Sequence, residues 1–504
     1  MPAILSSPVA TTSFYARIHS ALLAHPTAEV LAWPAGPAHA VERLTAAGLL
    51  GWVSAARECL LARKLRAGQH VLLANSGPEA LPVALAALAL GATVVFPQPG
   101  LGLWRYIRLA RATGAKVIHV AGRPNVVQQG WARCFGIALL HFSTLPHTDK
   151  ATEPTWRPVS EAGQQTPLVV YSGGSGNGRA RPVLFTQAVL AAQCDVRAAA
   201  PARCPAWREA SAFSPALLVR LALPSVGCTV LPTAPAVTPF GFDARLAVQH
   251  VFAESSEALS GSVRFFQRLL PVLATLPTKV RQRIKVVRVG GAPVPEALVQ
   301  ALRDGFPHAD LYVAYSVTEA LLIAVRHVTG EAADPRRGYC VGHVADGIEV
   351  NLKSIGVGIS LPGGYLQPIG EVRVRGPQVA QPPGAAPDAW LATGDCGYLD
   401  AATGELWLTS RRGNSLPAGG YQHYQIEQAA QWAEGVERVA VKSWGAGFQV
   451  WVEGTDPALT QTVQNQILHV YPGLRGVLRV QLLPRLPVDD RSGGNIRYGE
   501  LAEK

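Results

Sequence analysis

Between residues 70 and 120 short apolar runs alternate with helix-like ones, and that alternation leaves few folds open. HVLLA (70–74) reads as a strand, NSGPE as a turn and helix start, and ALPVALAALAL (80–90) as a helix apolar on nearly every face. Gly91 closes that helix, TVVF (93–96) is the next strand, PQPGLG turns the chain into LWRYIRLARATG, and KVIHV (116–120) follows. Strands apolar throughout and joined by helices require a parallel sheet covered on both faces, which is an α/β fold. The rhythm returns over 166–230 and 284–315. From about 338 it changes: GIEVNLK and GEVRVRG are short alternating strands between Gly and Pro, a β-rich module. After RRGNSLPAGG, which reads as a linker, a smaller unit follows with a helix near 424–434, strands VERVAV and FQVWVEG, a helix over 457–470 and strand VLRVQLL.

The expected architecture is therefore a large N-terminal α/β domain over 1–411 with layered, mostly parallel sheets and a β-rich subdomain at about 338–411. A small, mobile α/β domain over 412–504 completes it. With 504 residues, 48% apolar and 16% charged, the chain has ample material for a large core and is not a disordered polymer.

Composition narrows the partners. Lys and Arg exceed Asp and Glu by 45 to 34, a mild surplus of +11 over this length. No basic stripe interleaved with aromatics is present, so nucleic acid is not expected, while an anionic small molecule is compatible with the surplus. Seven scattered cysteines (Cys59, Cys134, Cys194, Cys204, Cys228, Cys340, Cys396) show neither CxxC nor Cys/His ligand spacing. The most apolar stretch, 80–96, falls short of the roughly 20 residues a membrane span needs. The first residues lack a basic start followed by an apolar block. A cytoplasmic protein of a reducing compartment, without a membrane span, is expected.

Three segments carry candidate chemistry. In VVYSGGSGNGRARP, Ser172, Gly173, Gly174, Ser175, Gly176, Asn177 and Gly178 follow an apolar strand. Glycines let successive backbone N–H groups converge on phosphate oxygens, and Arg179 and Arg181 add cationic charge; a plain surface loop has the same composition. No GxxxxGK[ST] is present. The second segment is VVRVGGAPVPEAL with LYVAYSVTEALLIA, two apolar strands running into small and polar residues, as at the ligand-binding ends of parallel strands. There Tyr315 can stack on a base, Thr318 can bond a phosphate and Glu319 can hold a hard cation; an acid beginning a helix, as Glu319 is read here, also serves simply as a partner of the helix dipole. In the third, WLATGDCGYLDAATGELWLTSRRG, Asp395 falls in a tight Thr-Gly-Asp turn suited to ribose hydroxyls. Asp400 and Gly404 read as a hairpin turn, and Arg411 and Arg412 sit at the domain junction.

In this order and spacing the segments resemble the superfamily of adenylate-forming enzymes, which includes acyl-CoA synthetases, luciferases and peptide-synthetase adenylation domains. GQHVLLANSGPE, the PGLG ending at Gly102, GYCVGHVADGIEV, YSVTEALLIA, GDCGYLD and LPVDDRSGGNIRYGEL are most similar to its fatty-acyl branch, which includes the olefin-pathway β-lactone synthetases. The resemblance implies ATP and Mg²⁺, with coenzyme A as a further possibility signalled by Gly419-Gly420. It implies a carboxylic acid substrate, either a fatty or a β-hydroxy fatty acid, and leaves room for a carrier protein or pathway partner. It places 172–178 on the β- and γ-phosphates, and Gly291, Ala292 and Pro293 with Tyr315 around adenine. Thr318 falls on the α-phosphate, Glu319 on Mg²⁺, Asp395 with Arg411 on the ribose, and Asn414 near a hinge. Phe213, Pro215 and 259–265 fall near the acid pocket, where plain core packing is the competing reading.

Two departures stand out. The family's phosphate loop reads like SGSTGxxKG; here Arg181 takes the Lys position and Gln187 stands where the pattern has His. More consequentially, the C-terminal Lys that reaches the α-phosphate is Asn495, which donates a hydrogen bond but carries no charge. Loss of one such contact typically costs about 10²–10³ in rate. The sequence therefore leaves two functions open: an AMP-forming ligase or lactone synthetase, or a catalytically weakened homologue that binds nucleotide.

Overall fold

The computed structural model describes residues 13–34, 41–75, 77–98, 100–142, 166–172, 181–199, 208–212, 214–224, 227–232, 242–330, 332–382, 384–386, 388–414, 418, 420–488 and 495–501. They divide into two compact units. The first takes in Met1–Tyr171, Pro182–Thr238 and Ala380–Gly384; the second takes in Ser172–Arg181, Pro239–Val379 and Ala385–Lys504.

The first unit is built on a six-stranded sheet in the order Ala138–His141, Ala115–Val120, His70–Leu73, Thr93–Phe96, Leu168–Tyr171, Pro182–Phe185. The first five strands are parallel and the last is antiparallel. Helix Ala80–Ala89 is buried at all of its positions and packs on helix Ala46–Ala62. That explains its lack of a polar face: each Leu or Val removed from water contributes about 1.5–3 kcal/mol. Local sequence sets the helix ends. Leu103–Thr113 stops at Gly114, whose φ of 70° is the left-handed value glycine accepts without strain. Val126–Cys134 starts from a reciprocal capping box between Asn125 and Gln128.

In the second unit, strands Ala258–Ser262, Val286–Gly290 and Asp310–Val317 run parallel. The sheet then continues antiparallel through Ala320–His327, Tyr339–Val344, Leu406–Arg411, Leu391–Leu399, Leu366–Arg375 and Glu349–Ser360. The α/β class with a β-rich module is thus as expected. Residues beyond 412 form a three-stranded sheet, Val439–Trp444, Gly447–Glu453 and Leu478–Leu483, with helices His423–Ala430 and Ala458–Val470. Ile426, Val441, Phe448, Val450, Val463 and Ile467 form its core.

Helix His423–Ala430 is buried at every position, polar residues included. Its Gln428 Nε2 donates to the Gly338 carbonyl (3.2 Å) and its Oε1 accepts from the Glu296 amide (3.0 Å). Glu296, which opens helix Glu296–Gly305, forms a two-pronged ion pair with Arg326 at 2.8 and 3.0 Å, and also accepts from the Ala333 amide. Among the described residues no helix is long and apolar enough to cross a membrane.

Candidate active site

The site grows from a kink in one strand. Within Leu391–Leu399, residues 393–395 stand opposite the single residue Val372, because Ala392 pairs with Arg373 and Cys396 with Glu371. Such a bulge re-aims a side chain. Gly394 supplies the positive φ of 78°, while the Thr393 hydroxyl donates to the Val372 carbonyl (2.9 Å) and accepts from the Asp395 amide (3.1 Å). Asp395 therefore belongs to a bulged strand, not to the free Thr-Gly-Asp turn expected from sequence. The strand Leu406–Arg411 holds its backbone in the ladder, while on the Leu366–Arg375 side the bulge leaves it outside the regular pairing. Across that ladder its partner is Arg411.

Asp395 is 5% exposed and has both oxygens engaged. Arg411 Nη1 donates to Oδ1, and the Tyr315 hydroxyl donates to Oδ2 at 2.7 Å. Burial, reinforced by the Asp395 charge, pushes the Tyr315 phenol well above its ordinary pKa, so it stays a neutral donor. Burial opposes the charge of Arg411, but Asp395 outweighs it and holds the guanidinium above its usual value. The result is a fixed carboxylate whose remaining lone pairs are available for hydroxyl donors. Arg412 makes its own pair with Glu371 at 2.7 and 2.8 Å.

The strand Val286–Gly290 ends in the turn that holds Gly291, Ala292 and Pro293. A Cβ on Gly290 would lie 2.4 Å from the Ala314 carbonyl oxygen, so the backbones touch there, and Gly291 has a φ of 79°. Thr318 and Glu319, expected at a helix start, instead form the two-residue turn of a hairpin between Asp310–Val317 and Ala320–His327, with Val317 paired to Ala320. The run ALLIAVRH is apolar enough for either structure. Ile323 and Ala324, fully buried beside Tyr339 and Val341, gain their burial only as a strand.

Asn495 Nδ2 donates to the Gly291 carbonyl at 3.0 Å. The structure thus brings together Asn495 and the Gly291 turn, two segments singled out separately in the sequence. A small open cleft is lined by Asn495, Pro293, Arg411, Tyr339, Glu427 and Tyr498, among others. Sequence reading missed Glu427, which is 3% exposed. Burial pushes its carboxyl up to about 8, although Tyr498, the Val441 amide and Tyr339 all hydrogen-bond to it. The available signal was an acid beside Ile426, Ala429 and Ala430 on one short helix.

Other expected residues are placed less fully. Gly173, Gly174, Ser175, Gly176, Asn177 and Gly178, with Arg179, Phe213 and Gly419, lie outside the described residues. Ser172 and Arg181 flank that loop and bond to each other, amide to carbonyl at 2.9 Å and Arg181 amide to Ser172 Oγ at 3.2 Å. Leu259 is fully buried in its strand, Pro215 opens helix Pro215–Leu221, and Phe265 stacks on Phe242 at 5.6 Å. Asp400 and Gly404 form the expected turn, with Asp400 Oδ1 accepting from Ala402 and Thr403 amides. Among the described residues no group of three or more His, Cys, Asp or Glu side chains is placed to cage a metal.

The arrangement of the sheets and helices matches a known fold. The same fold is seen in ATP-bound MatB from Rhodopseudomonas palustris (TM-score 0.75, 19% identity, 97% of each chain). It is also seen in O-succinylbenzoate coenzyme A synthetase MenE from Bacillus subtilis, in complex with ATP and magnesium ion (TM-score 0.72, 16% identity, 96% of this chain and 98% of that one). In sequence, 232 residues are 28% identical to 4-coumarate–CoA ligase 1 of Glycine max, covering 40% of this chain and 76% of that protein. Against several other curated relatives the chain spans less than half of their length. The AMP-binding enzyme family matches residues 20–382, and the chain belongs to that family.

Proposed function

We propose that the protein activates a carboxylic acid with ATP, forming an acyl-adenylate that a second nucleophile then captures. The observation that carries this reading is the Asp395 carboxylate held by Arg411 and Tyr315, an acceptor for ribose hydroxyls, in a chain of the AMP-binding family. In the reaction a carboxylate oxygen bonds to the α-phosphorus, the bond to the bridging oxygen breaks, and pyrophosphate leaves. Positioning and charge neutralisation supply most of the rate in such phosphorus chemistry.

Residue assignments follow the sequence. Gly291, Ala292 and Pro293 take the adenine with Tyr315, whose hydroxyl is already committed to Asp395. Thr318 and Arg181, with 172–178, take the phosphates. Glu319 would hold Mg²⁺, which when bound neutralises phosphate charge. One protein carboxylate is enough for Mg²⁺, which takes most of its ligands from phosphates and water. The acid is a fatty or β-hydroxy fatty acid, and the acceptor is a thiol of coenzyme A or a carrier protein, or the substrate's own hydroxyl, giving a β-lactone. Related ligases that join acids to coenzyme A support the thiol branch. Residues 412–504 act as the mobile lid between the two half-reactions.

One observation favours a weaker catalyst. Asn495 spends its amide on the Gly291 carbonyl and brings no cation to the α-phosphate. Pyrophosphate release from ATP with a panel of plain and β-hydroxy fatty acids tests the reading. ATP binding without pyrophosphate from any acid would leave a nucleotide-binding homologue.

A further inference from the structure

The segment that carries Asn495 is hydrogen-bonded to a buried acid. Tyr498 lies three residues beyond Asn495, and its hydroxyl donates to Glu427 Oε1 at 2.7 Å. Glu427 is itself fixed: the same oxygen accepts from the Val441 amide at 2.9 Å, which binds the carboxylate to the three-stranded sheet. The Tyr498 ring meets His423 edge-on, with centroids 5.3 Å apart. The chain is also held on either side, by an isolated bridge between Val488 and Ile496, the Arg497 amide on the Pro487 carbonyl (2.9 Å), and Ile496, Tyr498 and Leu501 packed with Ala440, Trp451 and Leu486.

We infer that Tyr498 and Glu427 are positioning residues whose hydrogen bond sets where Asn495 sits on the Gly291 turn. A side chain on a short irregular segment keeps its place only if something beyond it resists rotation. Here the part-buried phenol–carboxyl contact supplies the directional part of that resistance, beside the apolar packing of Ile496 and Leu501 and on the same cleft that Asn495 lines. Neither residue reaches the Gly291 turn directly; both act through the backbone of 495–498. The inference rests on the adenylating reading for its catalytic half, while the docking half stands on the geometry alone.

The test uses full-length Tyr498→Phe, which keeps the ring and removes the donating hydroxyl, and Glu427→Met, which keeps an unbranched side chain and removes the accepting oxygen. Hydrogen exchange of the Arg497 and Leu501 amides reads the docking without any substrate, and pyrophosphate exchange reads catalysis. Expected are at least tenfold faster exchange at these amides and a kcat lowered by roughly ten- to a hundredfold, the usual cost of displacing a group near reacting atoms by about 1 Å. The KM for ATP should change less than about threefold, since the Asp395 cluster is untouched. Unchanged amide protection in both variants overturns the inference. So does a parallel rise in KM with kcat unchanged, which would show a binding effect only. If wild-type protein yields no pyrophosphate with any acid, the adenylating reading fails by itself, and amide protection alone decides the docking.

Discussion

Arg326 and Glu296 face each other inside the second unit with both guanidinium nitrogens on both carboxylate oxygens, and their side chains are only 8% and 1% exposed. Glu296 also takes the Ala333 amide, and its own amide reaches Gln428 on helix His423–Ala430. Removal of the acid strands a buried cation. Glu296→Ala is expected to lower stability by about 3–5 kcal/mol, measured by urea unfolding. A double variant with Arg326→Met should recover much of that loss, because no uncompensated charge remains.

Asp395→Asn keeps the side chain's shape and discards its charge. MgATP affinity, read by titration calorimetry, should fall by about ten- to a hundredfold, corresponding to the loss of charge-assisted hydrogen bonds. Tyr315→Phe keeps the ring and loses one hydroxyl, so its effect should be the smaller of the two. The reverse order would place the ribose elsewhere.

Asn495→Lys restores a cation to the turn at Gly291. If the adenylating reading holds, pyrophosphate exchange should rise by about 10²–10³, the inverse of losing one contact made in the transition state. No gain with any acid would mean that the site no longer depends on this position.

The pH dependence of stability has two opposing parts. The Glu427 carboxyl, raised to about 8 in the fold by burial among Tyr339, Tyr424 and Tyr498, keeps its proton where the unfolded chain has lost it. Its contribution therefore falls as pH climbs from the ordinary carboxyl range through 8. His119 behaves oppositely. It is fully buried, neither ring nitrogen has a hydrogen-bond partner among the described residues, and burial with nearby His141 lowers its pKa to about 3. Its contribution is complete above the ordinary imidazole pKa and is lost on acidification toward 3. Urea midpoints against pH should show a shallower alkaline decline in Glu427→Gln and a shallower acid decline in His119→Leu.

The limits of reading the chain unaided show in particular residues. Over 70–120 the helix Ala80–Ala89 and strand Thr93–Phe96 were legible as continuous apolar runs because they are buried all round, and Leu103–Thr113 because its apolar residues recur on one face. Asp395 was found by its setting between glycine and a strand, but the bulge that aims it was not, since a bulge depends on the register of a neighbour. Glu319 was placed on a helix because ALLIA satisfies either period; pairing with Asp310–Val317 chose the strand. Helix His423–Ala430 hid Glu427 because all of its residues are buried, and an element without a solvent face has no amphipathic signature.

From the sequence alone came the α/β class, the order of the elements, the family resemblance and the loss of charge at Asn495, all properties of local pattern and residue identity. Tertiary structure alone decided that Asp395 is clasped by Arg411 and Tyr315, that Asn495 rests on Gly291, and that Tyr498 ties down on Glu427. Those contacts join residues between 16 and 204 positions apart, and the forces that select them act through space, where sequence spacing carries no information.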